Sequence, residues 1–255
     1  MAATASPRLG CVSYLNALPL IHGWRGPVQF DHPSSLCRQL ANGELDVALV
    51  SSFEYLRNPI YSVIDGLAIA SHGPVFSVIL AHRGAIERLR EVVVDPASET
   101  SVHLLRCLLG ERGLAPEFVH EGEMDAERGR LLIGDQAIRF RQERAGDGQI
   151  LDLGAEWDRT TGQPFVYALW LVRPEYSGKA AIGAALRSLG QENLAHLDRL
   201  IATQPEDRRA FCEFYFRECL RFSFGEEENK GFQTFAELCV KHRLLPVVPP
   251  APAFV

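Results

Sequence analysis

The chain has 255 residues, 47% hydrophobic and 23% charged, with a net charge of -6. That length and composition suit a globular protein with a large core, in one large domain or two small ones. With no basic tract, nucleic acid and anionic membrane surfaces are poor partners, and no stretch approaches the ~18 uninterrupted apolar residues of a membrane span.

The first residues, MAATASPRLG, lack the apolar centre of a signal peptide, so a cytoplasmic location is expected. The six cysteines, Cys11, Cys37, Cys107, Cys212, Cys219 and Cys239, form no CxxC pair and mostly lie in apolar segments. They read as buried, reduced thiols. A homodimer is admitted by these totals but not required.

Leu9–Val12 is an apolar run that predicts a buried first strand. Residues 16–22 open a helix with Pro19 in its first turn. Val28–Asp31 predicts a second strand, and Pro33 begins a helix that Asn42-Gly43 ends. Residues 46–50 form a buried strand, followed by a short helix over 53–57. Residues 64–70 and 75–82 are β-branched apolar runs separated by a turn at 71–74. A strand at 92–95 leads through a polar stretch into a helix over 102–109, ended by Gly110 and Gly113.

Short strands follow at 118–119 and 131–133, Gly134-Asp135-Gln136 starts a helix, and Phe165–Val172 reads as a long core strand. Everything beyond it is helical, with Pro205-Glu206-Asp207 a good helix start and Glu226-Glu227-Glu228 a solvated one. The aromatics Phe211, Phe214, Tyr215 and Phe216 read as core or lobe packing. Trp157, placed in a loop, is either a structural plug or a cleft wall. The Pro-rich tail from 246 to 255 is extended.

Alternating strands and helices predict an α/β protein with largely parallel sheets. The segment between the apolar runs at 75–82 and 165–172 has strands and helices of its own. The expected division is therefore a discontinuous first lobe, residues 1–82 and 172–255, and an inserted second lobe, residues 83–171. Two crossing strands would join them around a ligand cleft.

Four strands end in small polar residues that open a helix: Ser13-Tyr14-Leu15-Asn16, Ser51-Ser52, Ser98-Glu99-Thr100-Ser101 and Gly134-Asp135. Ligands of open α/β sheets bind beyond the carboxyl ends of the strands, where free N–H groups and helix dipoles suit anions. With two clusters in each lobe, a small anion clamped between lobes is a coherent picture. Ordinary N-capping would select the same residue types. No HExxH or other metal spacing, GxGxxG, P-loop or G-x-S-x-G elbow occurs.

Seven segments together carry a family resemblance: SYLNALPL (13–20), GELDVALVSSFEY (43–55), GPVFSV (73–78), DPASETSVHLL (95–105), LLIGDQAI (131–138), DLGAEWDRTTGQPFVYALWLVR (152–173) and FGEEENKGF (224–232). In these the sequence resembles the chorismate dehydratases of the futalosine route to menaquinone. The resemblance implies a type II periplasmic-binding-protein-like fold used as a cytoplasmic lyase. It also implies dehydration of chorismate to 3-[(1-carboxyvinyl)oxy]benzoate, without cofactor or metal. The alternatives are the 1,4-dihydroxy-6-naphthoate synthase of the same route, whose substrate is far larger, and a non-catalytic small-anion binding protein.

For such a substrate, Ser51, Ser52, Thr100, Ser101, Gly134 and Asp135 are expected to bind carboxylates through hydroxyls and helix N-termini. Asn16, with Ser13 and Tyr14, would face the ring and its leaving hydroxyl. Asp135 either caps its helix or takes part in proton transfer, and Glu54 is a site group or an ordinary first-turn acid. The proton-abstracting base is a side chain or the substrate's own carboxylate.

Overall fold

The structure is a computed structural model and describes residues 6–95, 99–143 and 148–255. β1 (Leu9–Val12) is buried at every position, as befits a strand covered on both faces. A 3-10 turn (Leu15–Ala17) runs into α1 (Leu18–Ile21), and β2 (Val28–Asp31) and α2 (Pro33–Ala41) follow. Pro19 and Pro33 occupy first-turn positions, where a helix has no use for the missing N–H. Then come β3 (Val47–Ser51), α3 (Ser52–Arg57) and β4 (Ser62–Ser71).

The chain next crosses to β5 (Val78–His82), β6 (Glu91–Val93), α4 (Glu99–Glu111), β7 (Glu117–Val119), β8 (Arg128–Ile133), α5 (Gly134–Glu143), β9 (Gln149–Asp152) and α6 (Leu153–Thr161). It returns as β10 (Phe165–Val172). After this come α7 (Lys179–Ala195), α8 (Leu197–Ala202), α9 (Glu206–Phe214), a π-helical turn (Tyr215–Cys219), α10 (Glu226–Lys241) and β11 (Ala253–Phe254).

The strands make two sheets, ordered β11-β4-β10-β3-β1-β2 and β7-β6-β8-β5-β9. Both are mixed, which corrects the largely parallel expectation: β10 runs antiparallel to β3 and β4, and β5 antiparallel to β8 and β9. The strand that arrives from the other lobe enters each sheet from the opposite end. The expected boundaries also move. β5 belongs to the second sheet and β10 to the first, so the crossings are the non-strand residues 72–77 and 162–164.

β9 and α6 lie where no element was expected, and Trp157 is on α6 rather than in a loop. Asp152 caps α6 by accepting from Gly154 N and Ala155 N. Trp157 is fully buried, edge-on to Phe165 and Phe235, with Nε1 donating to Pro164 O, which makes it a plug beneath the second crossing. All six cysteines are free and buried, as expected. No helix among the described residues is long and apolar enough to cross a membrane.

Candidate active site

The carboxyl ends of β1, β3 and β8 and the first turn of α4 converge on one cavity between the sheets. It encloses about 570 Å³ of non-atom space, open solvent at its mouth included. Tyr14, Asn16, Ser51, Thr100, Ser101 and Gly134 all line it. Three other residues expected at the site do not. Ser13 and Asp135 are exposed and line a wider outer groove, and the Ser52 hydroxyl turns into the sheet, donating to Val166 O at 2.7 Å. Ser98 lies outside the described residues.

The polar groups hold the lobes against each other. Thr100 Oγ1, at the start of α4, accepts from Phe53 N at 3.1 Å and so caps α3 of the opposite lobe. The Ser51 hydroxyl lies 2.5 Å from the same oxygen. At a second contact, Asp135 Oδ1 accepts from Leu15 N at 3.2 Å, so this first-turn acid caps the 3-10 turn across the cleft. Beside it, Gly134 has φ +53°, and a Cβ there would sit 3.0 Å from the Tyr14 ring. Both the backbone angle and the close approach require glycine. Burial, then the charges of Asp95 and Asp135, push the Tyr14 hydroxyl up to about 12, so it remains a neutral donor. Tyr14 lines both the cavity and the outer groove and thus forms the partition between them.

Among the described residues lining the cavity none is a cation. An anion there meets hydroxyls and the first turns of α4 and α5, where Gly134 N is already given to Ser77 O at 2.8 Å. Glu99 lines the cavity but pairs with Arg57, which also binds the buried Glu54. Glu54, Glu99 and Cys37 are the described group whose atom types and spacing resemble a metal site. The Arg57 guanidinium already supplies the positive charge between its two carboxylates. Burial raises the carboxyl of Glu54 above its ordinary value, against the opposing effect of Arg57.

Asn16 stands apart. Its Oδ1 is buried and has no hydrogen-bond partner. An orphaned buried acceptor costs roughly 1–3 kcal/mol unless a ligand or water satisfies it. Ser77 also lines the cavity, and its Oγ accepts from Tyr215 Oη at 2.6 Å. Ser77 was missed as a site residue because it sits in the crossing rather than at a strand end. Only the brevity of GPVFSV between two apolar runs marked it.

Two mixed α/β lobes, two short crossings and a cavity at the strand ends define a protein of the periplasmic-binding-protein-like fold class. Solved structures agree at the level of fold. A protein of Archaeoglobus fulgidus superposes with a TM-score of 0.71 over 94% of this chain and 98% of its own, at 16% identity. The alkanesulfonate-binding protein of Xanthomonas axonopodis pv. citri gives 0.61 over 100% of this chain and 99% of its own, at 17% identity. Sequence similarity is more specific: the profile of a menaquinone-biosynthesis family matches residues 7–241. The chorismate dehydratase of Thermus thermophilus is 33% identical over 90% of this chain and 93% of its own length. That of Campylobacter jejuni is 29% identical over 61% of this chain and 58% of its own. The chain belongs to this menaquinone-biosynthesis family.

Proposed function

We propose that the protein is a cytoplasmic hydro-lyase that converts chorismate to 3-[(1-carboxyvinyl)oxy]benzoate in menaquinone biosynthesis. The observation that carries this reading is a cavity lined by hydroxyls and apolar side chains with one buried acceptor, Asn16 Oδ1, left unpaired, in a chain similar over 90% of its length to a chorismate dehydratase. Chorismate has two carboxylates and a ring hydroxyl. In the reaction a ring C–H bond and the neighbouring C–O bond break, the ring becomes aromatic, and the proton and hydroxyl leave as water. Aromatisation drives the step, so the protein's part is positioning and proton management.

A hydroxyl offers one donor and two acceptor sites. Asn16 Oδ1 accepts a hydrogen bond from the ring hydroxyl, the Ser77 hydroxyl donates one to its oxygen as the C–O bond weakens, and the departing hydroxide takes up the ring proton to leave as water. The carboxylates lie against Thr100, Ser101 and the first turns of α4 and α5. The substrate's own carboxylate takes the ring proton, which fits the lack of a cavity-lining His or Lys among the described residues. Glu99, the carboxylate there, is engaged by Arg57.

Incubation of the purified, metal-stripped protein with chorismate tests this directly. Loss of the diene absorbance and a product lighter by one water are the expected result. Binding without turnover would make the protein a chorismate binder instead, and neither would turn attention to the naphthoate-synthase substrate.

Gly134→Ala gives a second check on the site. The left-handed backbone costs about 1–2 kcal/mol with a Cβ, and that Cβ presses on the Tyr14 ring where the lobes meet. KM for chorismate is expected to rise about tenfold in steady-state assays, and the melting temperature to fall by a few degrees. An unaltered KM would mean that the Tyr14–Gly134 contact does not govern closure.

A further inference from the structure

Among the described residues, Val12 and Tyr14 are the two that line both the cavity and the outer groove. Val12 ends β1, is 4% exposed and pairs with Asp31 of β2, so the sheet fixes it. Tyr14 stands beyond the strand, half-buried, with its backbone extended at φ -78° and ψ 153°. Its ring is the part of the partition that no strand ladder holds.

The other walls of the cavity have protein behind them. Ile69, Val78 and Ala168 are buried strand residues of the two sheets. Ser51 and Thr100 are buried against each other, and Thr100 also takes the Phe53 N–H. Glu99 is held by Arg57. Behind the Tyr14 ring lies the groove instead, with about 2050 Å³ of non-atom space, open solvent included. Near the ring the groove is apolar, lined by Leu18, Ile138 and Phe211, and the exposed Phe30 extends this surface. Its charged residues, among them Arg139, Asp207 and Arg208, are of both signs, so it favours apolar area over a charge of either kind.

The ring rests on backbone. A Cβ at Gly134 would sit 3.0 Å from it, and Gly134 N is tied to Ser77 O at 2.8 Å. Next to it, Leu15 N donates to Asp135 Oδ1 across the cleft at 3.2 Å. A ligand that pushes on the ring from the cavity therefore pushes on main chain, and close-packed contacts yield little.

We infer that Tyr14 is the specificity-determining residue for ligand size: its ring closes the cavity on a side where the fold leaves room, so the site takes carboxylates that end at Tyr14 and rejects those whose aromatic extension would run into the outer groove. This deepens the proposed function by stating which carboxylates are admitted. It rests on that reading for the kind of ligand, and not for turnover.

Two probes test it. 3-Hydroxybenzoate is a single ring, and 1-pyrenecarboxylate carries the same carboxylate on a much larger fused system whose fluorescence reports binding. The binding that counts is the part displaced by excess 3-hydroxybenzoate, which assigns it to the cavity. In Tyr14→Ala the Kd for 1-pyrenecarboxylate falls about tenfold or more as apolar area enters the groove, while that for 3-hydroxybenzoate rises. Tyr14→Phe keeps the ring and the wild-type preference. Phe30→Ala widens the groove without opening the wall, and both Kd values stay within about threefold. A folded Tyr14→Ala that binds 1-pyrenecarboxylate no more tightly than wild type overturns the inference, and so does Tyr14→Phe admitting it. If the alanine variant does not melt cooperatively, Tyr14→Leu, apolar but shorter than the ring, replaces it with the same expectations. Wild-type protein that binds 3-hydroxybenzoate yet leaves chorismate unchanged removes the dehydratase reading, and the two Kd values still decide the inference. Absence of displaceable binding in wild type and Tyr14→Ala alike overturns both.

Discussion

Asn16→Ala lowers kcat for chorismate about a hundredfold or more, with a much smaller change in KM. Losing the group that fixes the orientation of a departing substrate hydroxyl costs about 10²-fold in turnover. The asymmetry between kcat and KM follows from where Asn16 sits. It lies on the 3-10 turn after β1 and carries a buried, unpartnered acceptor, whereas the groups proposed to hold the carboxylates lie on α4 and α5. In the ground state that acceptor exchanges water for a substrate hydroxyl, at little net gain. It matters when the hydroxyl must be held in line for departure. Because Oδ1 has no protein partner, Asn16→Ala leaves no new orphan from that side, and the fold should tolerate it. Steady-state kinetics decide the point: equal losses in kcat and in binding would remove Asn16 from the chemical step.

Asp152→Ala is expected to lower stability by about 3–5 kcal/mol. Its carboxylate is 8% exposed and serves five donors. Oδ1 accepts from Val75 N, Gly154 N and Ala155 N at 3.0–3.1 Å, and Oδ2 from Phe76 N at 2.9 Å and Arg141 Nη1 at 3.1 Å. One side chain thus caps α6, ties the first crossing to the second lobe and neutralises Arg141. Alanine strands four backbone N–H groups and a guanidinium that is only one-fifth exposed. Asp152→Asn keeps one acceptor oxygen and should lose about half as much. Urea midpoints at unchanged slope would measure both. A loss under about 1 kcal/mol for Asp152→Ala would show that water replaces the carboxylate at this hub.

Much of the first lobe was legible because local chemistry and tertiary role coincide there. The apolar run of β1, Pro33 opening α2, and Gly43 at φ +77° after it are signals that packing does not override. Elements failed where the signal was short. β9 offers only Ile150 and Leu151 between polar ends, and α6 reads as a loop although Asp152 caps it and Leu153 and Trp157 stand one turn apart. Strand direction was illegible, since β5 and β10 are antiparallel only because of how the chain re-enters each sheet. The site divides in the same way. Strand-end hydroxyls and Asn16 could be named from capping chemistry, and the structure places Asn16, Ser51, Thr100 and Ser101 round one cavity. The mutual contact of Ser51 and Thr100, and the reach of Tyr215 to Ser77 over 138 positions, have no local signature.

The position of β10 sets an order of assembly. It fills the slot between β3 and β4, and neither of those strands pairs with the other. A nascent chain that has emerged only as far as residue 161 already contains every strand of the second sheet, β5 to β9. The first sheet at that moment lacks its middle, with β3 and β4 each presenting an open edge of unpaired N–H and C=O groups. The lobe translated second can therefore finish folding first, while the N-terminal strands wait for residues 165–172. A ribosome that stalls between those points holds a folded second lobe beside an adhesive, half-built first one.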